Sequence, residues 1–321
     1  MSRALDGLRN PTGKDCGVTR IAILGAPTQA GTYRKGCIMG PAALRTADLA
    51  ETFQALGCAV ERDADLTPER VAIDDAPYAP AHHVAETAGW IRAVRSAVAA
   101  ELREGRVPVL LGGDHSIAAG SLAAVMDVIP GAHVIWLDAH PDFNTISSTE
   151  SGNLHGIPVA IASGLDGADL IYGAPITPLR AKNVTMLGIR SVDADERALL
   201  TKAGVTVHDM RDVDEHGVGA LMRAAISRAE ADGAPIHVSF DVDFLDPEIA
   251  PAVGTTVPGG ATFREAHLAM ELLSESGRVA SLDLVELNPF LDERGRTATL
   301  MVDLTASLFG RTIMDRPTPA Y

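Results

Sequence analysis

The stretch WLDAHPDFN, Trp136 to Asn144, sets Asp138, His140 and Asp142 at every second position. Side chains alternate faces along an extended chain, so this spacing predicts three polar groups pointing one way. The run before them, HVIWL, is apolar on both faces and reads as a buried strand. Acids at the end of such a strand must be paired or bound to metal. Similar groups follow other apolar runs: His115 after VLLGGD, Asp241 and Asp243 after IHVSF, and Glu286 after LDLV. Taken singly, each also reads as a helix cap or a satisfied core histidine; their joint placement favours a metal centre. Four aspartates and two histidines form an oxygen-rich donor set with imidazole and no thiolate. That chemistry favours Mn(II), ranks Fe, Co, Ni and Zn behind it, and disfavours Mg and Ca. Four carboxylates cannot stay ionised together at close range without compensating cations, and two divalent ions would balance them. Such a pair, roughly 3.5–4 Å apart, can hold a bridging water and bring its pKa toward neutrality, so metal-assisted hydrolysis is the expected reaction type.

The elements that must position these groups are short runs rich in Val, Ile and Leu: RIAILGAP, VPVLLGGDHS, HVIWLDAHPD, VTMLGIRSV, VTVHDM, PIHVSFDVDF and VASLDLVEL. Helical segments lie between them, the signature of a parallel sheet covered on both faces. Each polar cluster falls at a strand's carboxyl end, where ligands bind in open α/β sheets. The longest helical pattern spans about Ala81 to Glu104 and stops at Gly105, and TFRE, Thr262 to Glu265, matches a capping box opening another helix. Two long segments, NTISSTESGNLHG and DPEIAPAVGTTVPGG, read as ordered functional loops. With no internal repeat, low-complexity block or long linker, one domain is expected, and the final DRPTPAY reads as a tail.

The chain of 321 residues is 46% hydrophobic, enough for a sizeable core, and its net charge of −15 argues against nucleic acid or an anionic membrane as partner. A cationic small molecule suits that field. Cys16, Cys37 and Cys58 form no CxxC pair, so reduced thiols are expected rather than a disulfide framework or thiolate metal site. The opening MSRALDGLRNPTGKD lacks an apolar signal core, and no apolar run approaches the roughly 18 residues of a membrane span, which places the protein in the cytoplasm.

The motifs GGDHS (112–116), DAHPDFN (138–144), SGNLHG (151–156), SFDVDFLDP (239–247) and ELNP (286–289) together resemble the ureohydrolases, over a span from about Ile21 to Gly310. The SGNLHG loop resembles arginases specifically among the ureohydrolases, and the stretch DVDFLDPEIAPAVGTTVPGGATFREAH resembles bacterial arginases most closely. The resemblance implies a single-domain three-layer α/β sandwich over 21–310, with an eight-stranded parallel sheet flanked by helices, an N-terminal segment 1–20 and a tail 311–321. It further implies two Mn2+ per subunit, hydrolysis of L-arginine to L-ornithine and urea, and a homotrimer or homohexamer. One ion would take His115, Asp138, Asp142 and Asp241, the other His140, Asp138, Asp241 and Asp243, with Asp138 and Asp241 bridging. Pro141 departs from the family, which often carries a small residue such as Thr there, and it removes a backbone donor and stiffens the turn.

By the same resemblance a metal-bridging hydroxide would attack the guanidinium carbon. Asp142 would accept a hydrogen bond from the attacking oxygen and help move a proton to the leaving nitrogen. His155 would shuttle protons, Glu286 would take the guanidinium, and Thr255 would place a hydroxyl beside it. Asn144 and Ser151 would meet the substrate's α-carboxylate, Asp193 and Glu196 its α-ammonium. The histidines outside the motifs, His82, His83, His133, His208, His216, His237 and His267, read as structural or surface groups. Cys37 has no partner histidine, which disfavours nucleophilic catalysis. An agmatinase or guanidinobutyrase would share the metal core and differ at the substrate tail. A dinuclear phosphoesterase is disfavoured by the lack of a Gly-rich phosphate cradle and of a downstream Gly-His-x-His. Against a metal-stabilised protein that binds arginine without turnover stand Asp142, His155 and Glu286.

Overall fold

Residues 18–312 are described by a computed structural model. Its strands are β1 Arg20–Ala26, β2 Ala59–Asp65, β3 Val107–Gly112, β4 His133–Leu137, β5 Val184–Ile189, β6 Thr206–Asp209, β7 Ile236–Asp241 and β8 Val279–Val285. They form one parallel sheet in the order β2-β1-β3-β8-β7-β4-β5-β6. Strands β3, β4, β5 and β7 are buried at every residue, which is why their sequences show no alternation of apolar and polar positions.

Along β4 the two faces separate cleanly. Val134 and Trp136 pack with Val94 and Val98 of the helix Val84–Arg103 and with Leu122 and Val125 of the helix Ala118–Val128. Ile135 and Leu137 pack into a second cluster with Leu221 of the helix Val218–Ala231, Met270 of Phe263–Ser276 and Met301 of Arg296–Leu308. Two helical layers therefore sandwich the sheet, as expected.

Strand β2, with sequence AVERDAD, is the one the hydrophobic runs do not reveal. It lies at the sheet's edge, largely exposed, and its acids bond outward: Glu61 with Arg20 at 2.7 Å, Asp63 and Asp65 with Arg45 at 2.7 Å. Charged edge strands resist pairing with other chains. The long helix begins at Val84 rather than Ala81, because His83 sits in the left-handed region at φ 54° and breaks the helical path. Thr262 and Glu265 do form the capping box, with Thr262 N donating to Glu265 Oε2 at 2.8 Å and Glu265 N donating to Thr262 Oγ1 at 3.3 Å. Cys37 and Cys58 are buried free thiols; Cys16, the opening segment through residue 17 and DRPTPAY lie outside the described residues. Among the described residues no helix is long and apolar enough to cross a membrane.

Candidate metal centre and substrate cavity

The turn leaving β3 delivers His115. Gly113 is required there, since a Cβ would meet Thr28 O at 1.7 Å. Asp114 caps the turn, accepting Ser116 N at 3.1 Å, and ties it to the β1 loop through Gly31 N at 2.9 Å. The His115 ring stacks on Trp136, with centroids 4.1 Å apart and planes 5° from parallel, and its Nε2 hydrogen-bonds Ser239 Oγ at 2.8 Å. Nδ1 is thereby aimed at three carboxylates: Asp138 Oδ2 at 3.0 Å, Asp142 Oδ2 at 3.1 Å and Asp241 Oδ2 at 3.1 Å.

Asp138, His140 and Asp142 converge by a different route from the extended strand that their spacing suggests. β4 ends at Leu137, residues 138–140 bend, and Asp142 takes a left-handed φ of 50°. Asp138 Oδ1 accepts the backbone N–H of His140 at 2.7 Å, so the acid itself folds the turn. Local hydrogen bonding closes around Pro141, with Phe143 N donating to Glu196 Oε1 at 2.7 Å. Asp241 ends β7 and accepts Asp243 N at 2.8 Å; Asp243 Oδ1 in turn accepts Ala139 N at 2.9 Å. That leaves Asp243 Oδ2 at 2.9 Å from His140 Nδ1 and 3.4 Å from Thr255 Oγ1.

Two sets of donors meet within 4.8 Å, His115 with Asp138 and Asp241, and Asp138 with His140 and Asp243, sharing Asp138. His115 Nδ1 and Asp138 Oδ2, though 3.0 Å apart, lack hydrogen-bond geometry and are buried without a partner. Such orphans cost about 1–3 kcal/mol each, and a cation between them would satisfy both, so the residues fit a metal centre. The electrostatics agree. Burial opposes charge on His115, yet the surrounding carboxylates outweigh it and raise its pKa well above the ordinary value. Burial, then Asp243 and Asp138, push Asp241 well above the usual carboxylate range; burial and Asp138 bring Asp243 up to about 6. Burial also works to raise Asp138, but His115 and His140 override it and hold its pKa low. The cluster carries more negative charge than it can keep without cations or protons.

Glu286 follows β8 with a left-handed φ of 64°. Its Oε1 accepts His115 N at 2.8 Å and lies 2.9 Å from His155 Nδ1. Burial disfavours the His155 cation, but Glu286 dominates and lifts its pKa to about 9. Glu286 is lowered in return, its own burial notwithstanding.

A cavity of about 250 Å³ opens beside the cluster, lined on one side by His140, Asp142, Asp241, Asp243 and His155. The expected substrate residues Asn144, Ser151, Asp193, Glu196 and Thr255 all line it as well. His115 and Glu286 are buried next to this lining, against Asp142 and His155 respectively. Asn144 is already oriented, its Nδ2 donating to Asp193 Oδ2 at 3.3 Å and its Oδ1 accepting Ser148 Oγ at 2.9 Å. Asp193 and Glu196 form a capping box on the helix Ala194–Ala203. Burial foremost, with Asp142 and Asp193 adding to it, raises the Glu196 carboxyl to about 7.

A family model described as the Arginase family matches residues 19–310. This chain belongs to the arginase family. The arginase of Brucella melitensis biotype 1 is 52% identical over 311 residues, covering 93% of this chain and 99% of that protein. The Agrobacterium fabrum arginase is 50% identical over 305 residues, covering 93% of each. The solved arginase from Bacillus caldovelox superposes with a TM-score of 0.87 at 37% identity, covering 92% of this chain and 100% of that one.

Several residues of this arginase-family site escape sequence reasoning. Thr149, Asn153 and Ser191 also line the cavity. Arg190 donates to the carbonyls of Asp243 at 2.6 Å and Val257 at 2.7 Å, joining a metal-site turn to the loop that carries Thr255. Ser239 left a usable signal: it sits two residues before Asp241 on one strand, hence on the same face. Arg190 left none, because the two turns it joins lie 53 and 67 positions further along the chain and offer it only backbone carbonyls.

Proposed function

We propose that this chain hydrolyses L-arginine to L-ornithine and urea with two Mn2+ per subunit. One ion would be held by His115, Asp138, Asp142 and Asp241, the other by His140, Asp138, Asp241 and Asp243. The observation that carries the reading is the aim of His115 Nδ1 at three buried carboxylates, beside a cavity whose other lining residues suit an amino acid. Bound together, such ions supply a water acidic enough to attack a guanidinium carbon near neutral pH.

The protein's own groups do the rest. Asp142 accepts a hydrogen bond from the attacking water and passes a proton toward the leaving nitrogen. Glu286 attracts the guanidinium, and Thr255 offers it a hydroxyl. His155, paired with Glu286 at 2.9 Å, keeps a proton on its ring for transfer to or from the cavity. At the far end Asp193 and Glu196 hold the α-ammonium, while Asn144 and Ser151 donate to the α-carboxylate. A cytoplasmic homotrimer or homohexamer completes the reading, and light scattering measures the assembly.

A substrate panel on manganese-loaded protein tests it, with ornithine and urea both quantified. Release of both from arginine, and none of urea from agmatine or 4-guanidinobutyrate, is expected. Urea released preferentially from either alternative would reassign the substrate tail.

A further inference from the structure

The arch Ser151-Gly152-Asn153 presents Ser151 and Asn153 to the cavity without belonging to any helix or strand. It is held from outside. Tyr33 Oη donates to Ser151 O at 3.0 Å, across 118 positions of sequence. His82 Nε2 lies 3.0 Å from Asn153 Oδ1, and His82 N donates to Gly152 O at 3.3 Å. The two braces touch each other, with ring centroids 4.5 Å apart. Below them Gly152, at φ 76°, leaves no room for a side chain, since a Cβ would meet Pro80 O at 2.0 Å. With Asn153 Oδ1 accepting from His82, the amide's orientation is set and its NH2 remains a donor for an anion.

We propose that Tyr33 and His82 are positioning residues that hold this arch at the spacing the substrate's α-carboxylate requires, and so set affinity for an amino acid without taking part in the chemistry. The inference rests on the functional reading above. Neither residue lines the cavity, and both reach it only through the arch. Losing them should therefore weaken binding of the substrate's tail and leave the reacting end alone.

The test compares manganese-loaded wild type with Tyr33→Phe, His82→Ala, the double variant and His82→Gln, which keeps an N–H donor. One lost hydrogen bond corresponds to about a 2- to 10-fold change in affinity. We expect KM for arginine and the dissociation constant of ornithine to rise together by about that factor in each loss variant, with kcat within about twofold. His82→Gln should recover most of the loss, and the inhibition constant of guanidinium ion, which has no carboxylate, should stay put. Unchanged KM and ornithine binding in Tyr33→Phe and His82→Ala would overturn the inference, as would a parallel rise for guanidinium. If the double variant fails to fold, the single variants decide. Wild type that releases no urea from arginine would instead overturn the functional reading.

Discussion

One carboxylate oxygen, Glu286 Oε1, is shared by the imidazole of His155 at 2.9 Å and the backbone N–H of His115 at 2.8 Å. The proposed proton carrier is thereby tied to the segment that supplies the proposed metal ligand His115. Replacing His155 with Asn should lower kcat about 100-fold, within the usual range for a lost acid-base group, while manganese content by elemental analysis stays constant. The pair also links stability to pH. Because the folded-state pKa of His155 is raised to about 9, its stabilisation is fully present below the ordinary value of 6.5 and fades as pH climbs through 9. The difference in melting temperature between wild type and this variant should shrink over that window.

Asp142 holds a left-handed φ of 50°, a conformation Asn tolerates well, so Asp142→Asn should fold. It removes an acceptor and a charge from the cluster facing His115. Urea release should fall about 10²- to 10⁴-fold. Turnover at the wild-type rate would exclude the assigned role.

Ser239 fixes the His115 ring through Nε2. Ser239→Ala leaves that nitrogen without its partner and frees the ring to turn. Manganese affinity, followed by titration against a competing chelator, should weaken about 10- to 100-fold.

Glu196 offers a pH signature at the other end of the cavity. With its carboxyl raised to about 7, it is largely neutral at pH 6 and charged at pH 8. KM for arginine should therefore drop as pH rises through 7, and Glu196→Gln should abolish that limb of the profile. The sign for stability is opposite: ionising this buried acid costs the fold, so its contribution declines as pH rises from 4.5 toward 7.

Stripping the metals should end urea release and soften the fold, since four buried acids then face one another. Restoring manganese to about a hundred times its dissociation constant should return about 2.7 kcal/mol of stability for each of the two sites. Calorimetric scans of chelated and reloaded protein measure it, and equal stability of the two would count against the assigned ligands.

The interior strands were legible because burial on both faces leaves uninterrupted Val, Ile and Leu runs, as in HVIWL. Strand β2 was not, since an edge position lets Glu61, Arg62 and Asp63 face water and erases the pattern. The metal-site acids could be read from their places after buried strands, whereas the way Asp138, His140 and Asp142 meet could not: it depends on a turn stabilised by Asp138 itself and on a left-handed residue. His82 read as a structural or surface histidine. Only the folded chain brings it beside Asn153, from 71 positions away, and nothing local to His82 encodes that meeting.

Strand β8 separates β3 from β7, and it alone joins the strips β2-β1-β3 and β7-β4-β5-β6 into one sheet. His115 rides on the first strip and Asp138, Asp142 and Asp241 on the second. Yet β8 is the last of these strands to emerge from the ribosome. A growing polypeptide thus gains the strand that joins the two halves of the proposed metal site only near the end of its synthesis.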